Sequence, residues 1–128
     1  MRLQKMLKLL ILMLFSSFCN ASIQQITAPT LLKLIEKQKA PLILDVRSTQ
    51  EYQQGHIQGA INIPYDQLQH NSAQLNQYKN HPIVVYCRSG RRAQIAYQVL
   101  QQQGFTQLID LKGHINLWHQ YQYPLQHP

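Results

Sequence analysis

The sequence predicts an α/β fold, a sandwich in which helices cover a mainly parallel central sheet. Three observations predict it. The apolar runs at 42–44 and 83–85 are short and lack polar alternation, so they read as strands buried on both faces. Segments with apolar residues at helical spacing stand around them, Leu31, Leu34 and Ile35 in one and Ala93, Ala96, Val99 and Leu100 in another. Strands that alternate with helices need crossover connections, which give parallel neighbours.

Taken in order, residues 23–26 fit a short edge strand. Thr27 is placed to cap a helix with Pro29 in its first turn, running to about Gln38. Pro41 opens the 42–44 strand, and Asp45-Val46-Arg47 closes it. Ser48 and Glu51 have the spacing of a capping box, which starts a short helix carrying Tyr52. Gly55-His56-Ile57 and Gly59-Ala60 read as a turn into a brief strand at 61–63, stopped by Pro64. Short helices are expected at 66–69 and 72–78, with Leu68, Leu75 and Tyr78 facing inward. The strand at 82–86 leads through a cysteine-containing loop to a helix over 91–103, closed by Gly104. Leu108-Ile109 gives a last parallel strand, and a closing helix starts near Gly113 and carries Leu117 and Trp118. The many glutamines fit a solvated surface, and no repeat or internal linker is visible.

Residues 1–21 read as a secretory signal peptide. Arg2, Lys5 and Lys8 form a basic start, an apolar stretch runs from Leu9 to Phe18, and Cys19-Asn20-Ala21 offers small residues to a signal peptidase. The apolar stretch is shorter than the roughly 20 residues that span a bilayer. Cleavage after Ala21 is expected, leaving 107 residues, 22–128, as one domain without stable membrane association. Anchoring as a lipoprotein at Cys19 is the alternative, weakened by bulky Phe18 where a small residue is required. The expected compartment is the periplasm.

The formal charge of +7 shrinks with the leader, because nine basic residues against five acids leave about +4. Lys33, Lys37 and Lys39 read as a solvated helix face. No long basic stripe with interleaved aromatics is present, so a nucleic-acid partner is not expected. The six histidines, His56, His70, His81, His114, His119 and His127, lack ligand spacing, and neither a metal nor a cofactor is expected.

Without the leader, Cys87 is the lone cysteine and cannot form an internal disulfide. Taken alone, such a residue is either a small core side chain or a free thiol with a purpose. Its neighbours decide: Tyr86-Cys87-Arg88-Ser89-Gly90-Arg91-Arg92 places three arginines within five residues at a strand-to-helix loop. Cations at a helix N-terminus cost roughly 0.3–1 kcal/mol each, so their presence points to an anion held there. Loop amides, the positive helix end and the guanidinium groups would together favour the Cys87 thiolate. In parallel sheets ligands bind beyond the carboxyl ends of strands, where this loop lies.

These residues resemble a single-domain rhodanese, a thiosulfate sulfurtransferase of the small periplasmic kind. One motif is Asp45-Val46-Arg47 with Glu51-Tyr52, Gly55-His56-Ile57, Gly59-Ala60 and Asn62-Ile63-Pro64. The second is the Cys87–Arg92 loop, and the third is Gly113, Ile115 and Trp118 ahead of Pro124. His114 stands where the family's second glycine usually is, and it reads as altering the turn more than as touching the site. The resemblance implies a three-layer sandwich in which Cys87 takes a sulfur from a small anionic donor such as thiosulfate. The resulting persulfide gives that sulfur to a thiol or cyanide. Arg88, Ser89, Gly90, Arg91 and Arg92 would bind the donor, and Asp45, Arg47 and Glu51 would form a supporting ion network in a monomer.

A cysteine phosphatase or arsenate reductase would need an arginine six positions after the cysteine, where Ala93 stands. A sulfane-sulfur carrier or a non-catalytic rhodanese-like binding module is the remaining rival, and the presence of Cys87 favours catalysis.

Overall fold

The computed structural model describes residues 23–128. The expected leader at 1–21 and the alternative anchor Cys19 lie outside them. Five strands, β1 (Gln24–Ile26), β2 (Leu42–Asp45), β3 (Ile61–Asn62), β4 (Ile83–Tyr86) and β5 (Leu108–Leu111), form one sheet in the order β1-β5-β4-β2-β3. Every pairing is parallel, so the sheet goes beyond the mainly parallel one expected. β1 is an edge strand, as its short and half-exposed sequence implied.

Alternation along the central strands divides the core into two layers. Leu44, Val46, Ile83 and Val85 face one cluster, which α3 (Leu68–Asn71), a 3-10 helix (Ala73–Tyr78) and α4 (Arg91–Gln102) cover with Leu68, Leu75, Ala93, Ala96, Tyr97 and Leu100. Ile43, Val84 and Tyr86 face the other, covered by Ala28 and Leu31 of α1 (Ala28–Glu36) and by Ile115 and Trp118 of α5 (His114–Gln120). The three-layer sandwich is the direct result, since a strand buried on both faces needs a helix layer on each.

Local chemistry sets the helix starts. The Thr27 hydroxyl accepts from Thr30 N–H at 3.3 Å, and Pro29 occupies the first turn of α1. α2 (Thr49–Gln54) begins with a complete capping box: Ser48 Oγ accepts from Glu51 N–H at 3.1 Å, and Glu51 Oε1 accepts from Ser48 N–H at 3.3 Å. The region at 66–78 differs from expectation. The helix starts at Leu68, because the preceding residues form a turn with Gln67 N–H on Pro64 O at 2.9 Å. The following segment winds as a 3-10 helix. On α4 the buried residues are Ala93, Ala96, Tyr97 and Leu100, with Val99 half-buried, so Tyr97 takes the inward place that the sequence reading gave to Val99. The chain ends against α2, where His56 and Gln126 exchange backbone hydrogen bonds of 2.9 and 2.8 Å.

Candidate active site

β2, β4 and β5 deliver their carboxyl ends to one edge of the sandwich. Beneath this edge lies a buried ion network. Asp45, fully buried, holds Arg47 through Nε at 3.0 Å and Nη2 at 2.7 Å, and accepts the Tyr86 hydroxyl at 2.7 Å. Arg47 Nη2 also donates to Gly55 O at 2.8 Å, and Tyr86 accepts from Ile57 N–H at 3.1 Å. Burial works against the Arg47 charge, but the hydrogen bond and the attraction of Asp45 keep its pKa raised. Burial, and then the Asp45 charge, push the Tyr86 hydroxyl far above its ordinary value. Asp45 and Arg47 therefore form a buried ion pair, while Glu51, expected in one network with them, pairs with Arg92 instead.

Cys87 follows β4 directly and starts the loop that ends at Gly90, the N-cap of α4. The residue is 1% exposed, and its Sγ accepts from Gly90 N–H at 3.1 Å. Burial alone would raise its pKa. The His114 hydrogen bond, the Ala93 and Gly90 amides and the His114 charge outweigh that and bring it down to about 7. The first turn of α5 clasps the loop from behind, with Ile115 N–H on Cys87 O and Asn116 N–H on Arg88 O, each at 3.2 Å. Gly113 is required just before it: at φ 77° an added Cβ would stand 2.5 Å from Leu117 Cβ.

The three arginines, grouped in the sequence reading, separate in space. Arg92 gives both terminal nitrogens to Glu51, at 2.6 and 3.0 Å, and the pair raises the Arg92 pKa while holding the Glu51 carboxyl down at about 2. Arg92 and the Cys87 thiolate also attract each other. Arg88, Ser89 and Arg91 are exposed on the rim, and Gly90 is half-buried. The cup drawn from sequence as amides and guanidinium groups is thus lined at the sulfur chiefly by amides and a histidine.

That histidine is the main correction. His114, which read chiefly as a change of turn, is 5% exposed with its ring against the thiol. Its Nδ1 accepts from Cys87 N–H at 3.2 Å, and Nε2 lies 3.3 Å from Asp110 Oδ1. The Tyr97 hydroxyl donates to the same Asp110 oxygen. Asp110 and Tyr97 were not singled out from sequence. The available signals were an acid inside the apolar run 108–111 and a tyrosine on the buried face of a helix. Among the described residues, no group of three or more His, Cys, Asp or Glu is placed to hold a metal ion.

The profile of the rhodanese-like domain matches residues 27–121. The chain belongs to the rhodanese-like family. Thiosulfate sulfurtransferase GlpE from Shewanella oneidensis is 33% identical over 105 residues, covering 82% of this chain and 96% of that protein. Thiosulfate sulfurtransferase PspE from Escherichia coli is 39% identical over 70 residues, 55% of this chain and 67% of its own length. Putative sulfur carrier protein YrkF from Bacillus subtilis is 31% identical over 103 residues, and this chain spans only 55% of it. Among solved structures, a rhodanese-related protein from Thermoplasma volcanium superposes with a TM-score of 0.68 at 31% identity, over 80% of this chain and 97% of the other. The rhodanese-like relatives thus include sulfurtransferases and a named sulfur carrier, and the sandwich of this chain is theirs.

Proposed function

We propose that this chain is an exported thiosulfate sulfurtransferase of the PspE type, acting through a persulfide on Cys87. One observation carries the reading: the sole cysteine of the described residues has its thiol brought down to about 7, against the burial that would raise it, by a histidine and the amides of Gly90 and Ala93 at the start of α4. A thiol titrating there is a thiolate nucleophile near neutral pH. The names of the two sulfurtransferase relatives support thiosulfate as the donor class.

In the first step the Cys87 thiolate attacks the outer sulfur of thiosulfate. The donor's S–S bond breaks, sulfite leaves with the bonding pair, and a persulfide remains. In the second step cyanide or an acceptor thiolate attacks the terminal sulfur, and Cys87 departs as thiolate, so no outside oxidant or reductant is needed. The amides of Gly90 and Ala93 face this charge with no reorganisation, the preorganised arrangement that stabilises developing anions. Exposed Arg88 and Arg91 are the rim charges that draw in a dianion. The mature protein is residues 22–128, a periplasmic monomer.

Intact-mass spectrometry after thiosulfate treatment tests both halves of the proposal. The expected result is a species beginning at Ser22 that gains one sulfur and loses it to cyanide, with no gain in Cys87→Ser. A wild-type mass that never changes with thiosulfate, or a Cys87→Ser variant that still forms thiocyanate, overturns it. Sulfur loading from a donor protein without turnover of thiosulfate would assign the chain to the carrier class instead.

A further inference from the structure

We propose that a cavity beside the Cys87 loop is the acceptor subsite, and that through Asp66 it takes a small thiol bearing an ammonium group. The inference rests on the sulfurtransferase reading and names the acceptor class for its second step.

The cavity holds about 350 Å³, enough for a small ligand. Three chain segments wall it: Ser48, Thr49 and Gln50 at the start of α2, the turn at 64–67, and Arg92 of α4. They follow the carboxyl ends of β2, β3 and β4, which are neighbours in the sheet. Asp45 of β2 stands level with Tyr86 of β4 on one side and Asn62 of β3 on the other. Strands lie about 4.8 Å apart, so the strand ends that carry the cavity and Cys87 together span only roughly 10 Å. Gly90, whose N–H donates to Cys87 Sγ at 3.1 Å, is two residues from Arg92 in the cavity wall. Tyr65, another wall residue, packs against the buried cluster that includes Cys87.

Charge decides what such a cavity holds. Of the five acids in the sequence, Asp45, Glu51 and Asp110 are matched by Arg47, Arg92 and His114. Glu36 ends α1 shortly before β2 begins, at the opposite edge of the sheet. Asp66 is exposed in the cavity wall, and among the described residues no hydrogen bond or ion pair holds its side chain. Arg92 already gives both terminal nitrogens to Glu51, so the wall is left with the Asp66 charge. The rim at Arg88 and Arg91 has the opposite sign. A dianionic donor and a cationic acceptor therefore reach one sulfur over different surfaces. In the transfer, the acceptor thiolate attacks the outer sulfur of the Cys87 persulfide. That S–S bond breaks, Cys87 leaves with the bonding pair as thiolate, and the acceptor departs as a persulfide.

Mixed-disulfide formation on Cys87 probes the cavity without any sulfur donor. The full chain is treated with cystamine (cationic), bis(2-hydroxyethyl) disulfide (neutral) or 3,3′-dithiodipropionate (anionic), and rates are followed by intact mass with Cys87→Ser as the blank. In each case the Cys87 thiolate attacks one sulfur and the other half leaves as thiolate. Comparing variant with wild type cancels each reagent's own reactivity. The cystamine-to-neutral rate ratio should fall about threefold in Asp66→Asn, the scale of an exposed ion pair. In Asp66→Lys it should fall about tenfold, while the anionic-to-neutral ratio rises. Glu36→Lys makes the same charge change at the far edge and should move neither ratio. With cysteamine as acceptor after thiosulfate loading, Asp66→Asn should raise its KM about threefold. Unchanged ratios in both Asp66 variants, or an equal shift in Glu36→Lys, overturn the proposal and leave the sulfurtransferase reading intact. An Asp66-dependent preference for cystamine in a chain that never gains sulfur from thiosulfate sinks that reading instead, and the cationic-thiol site stands.

Discussion

Arg92 carries a positive charge at the N-terminal turn of α4, a position where the helix dipole opposes it by roughly 0.3–1 kcal/mol. Glu51 offsets that cost through a bidentate contact, and the same contact depresses the carboxyl to about 2 from a model-peptide value of 4.5. A carboxyl whose folded pKa is lowered stabilises the fold above its unfolded pKa and loses that contribution as pH falls through the folded one. The window here runs from about pH 4.5 down to about 2. Glu51→Gln should therefore melt below wild type at pH 7, and the gap should close as pH falls toward 2. Both side chains of the pair are partly exposed, which limits the effect to roughly 1 kcal/mol or less. Thermal melts of both proteins from pH 7 to pH 2 check it, and a constant gap would show that the ion pair contributes nothing to that pH dependence. Arg91, exposed and one position earlier, should behave differently. Arg91→Ala is expected to raise the KM for thiosulfate with little change in kcat, and to weaken the dependence of kcat/KM on ionic strength, because long-range attraction is what salt screens. The sequence announced a cluster of three cations but not this division of labour. Partner choice depended on α2, whose Glu51 comes within reach of Arg92 only in the folded chain.

At the scale of elements, short helices depend on their ends. α2 is six residues long and buries none of them fully, so it cannot rely on core packing. Its capping box satisfies amides that a helix of this length would otherwise leave open. Ser48→Ala should cost about 1 kcal/mol, measured by urea denaturation. It should also loosen the Glu51–Arg92 contact, because Glu51 serves both as N3 of the box and as the arginine's partner. α4 works the other way. It has no side-chain cap, and its stability comes from a packed face that includes fully buried Leu100. Leu100→Ala should cost about 2–5 kcal/mol, while exposed Gln98→Ala stays within about 0.5. The capping box and the apolar stripes were legible in the sequence because both are local patterns. Tyr97 and Asp110 were not, since a tyrosine on a helix and an acid in a strand acquire meaning only when α4 packs over β5. His114 was visible as a departure from the expected glycine, but its contact with Cys87 spans 27 positions of the chain, and no spacing rule foretells it.

For the molecule as a whole, a parallel sheet collects strand ends at one edge, and something must hold those ends in register under a reactive loop. Asp45, Arg47 and Tyr86 do so: they join the end of β2, the end of β4, the Gly55 carbonyl after α2 and the Ile57 amide in one buried, satisfied network. Cys87 is the next residue after Tyr86, so the position of the sulfur follows from this anchor. A buried ion pair does not by itself imply a net gain in stability, because desolvation offsets much of the attraction. The asymmetry lies in removing one member. Arg47→Met should destabilise by roughly 3–5 kcal/mol, since it strands the Asp45 carboxylate in the interior, whereas Asp45→Leu with Arg47→Met should recover much of that loss. Tyr86→Phe, which leaves the Ile57 amide without its partner and removes one of the donors to Asp45 Oδ2 while Arg47 keeps the others, should cost about 1–3 kcal/mol. Urea denaturation of these variants gives the stabilities, and sulfur transfer to cyanide reports on the loop above. The double variant is the informative one: if it regains stability but not transfer, the network exists to place the loop, and full recovery of transfer would mean that packing alone positions Cys87.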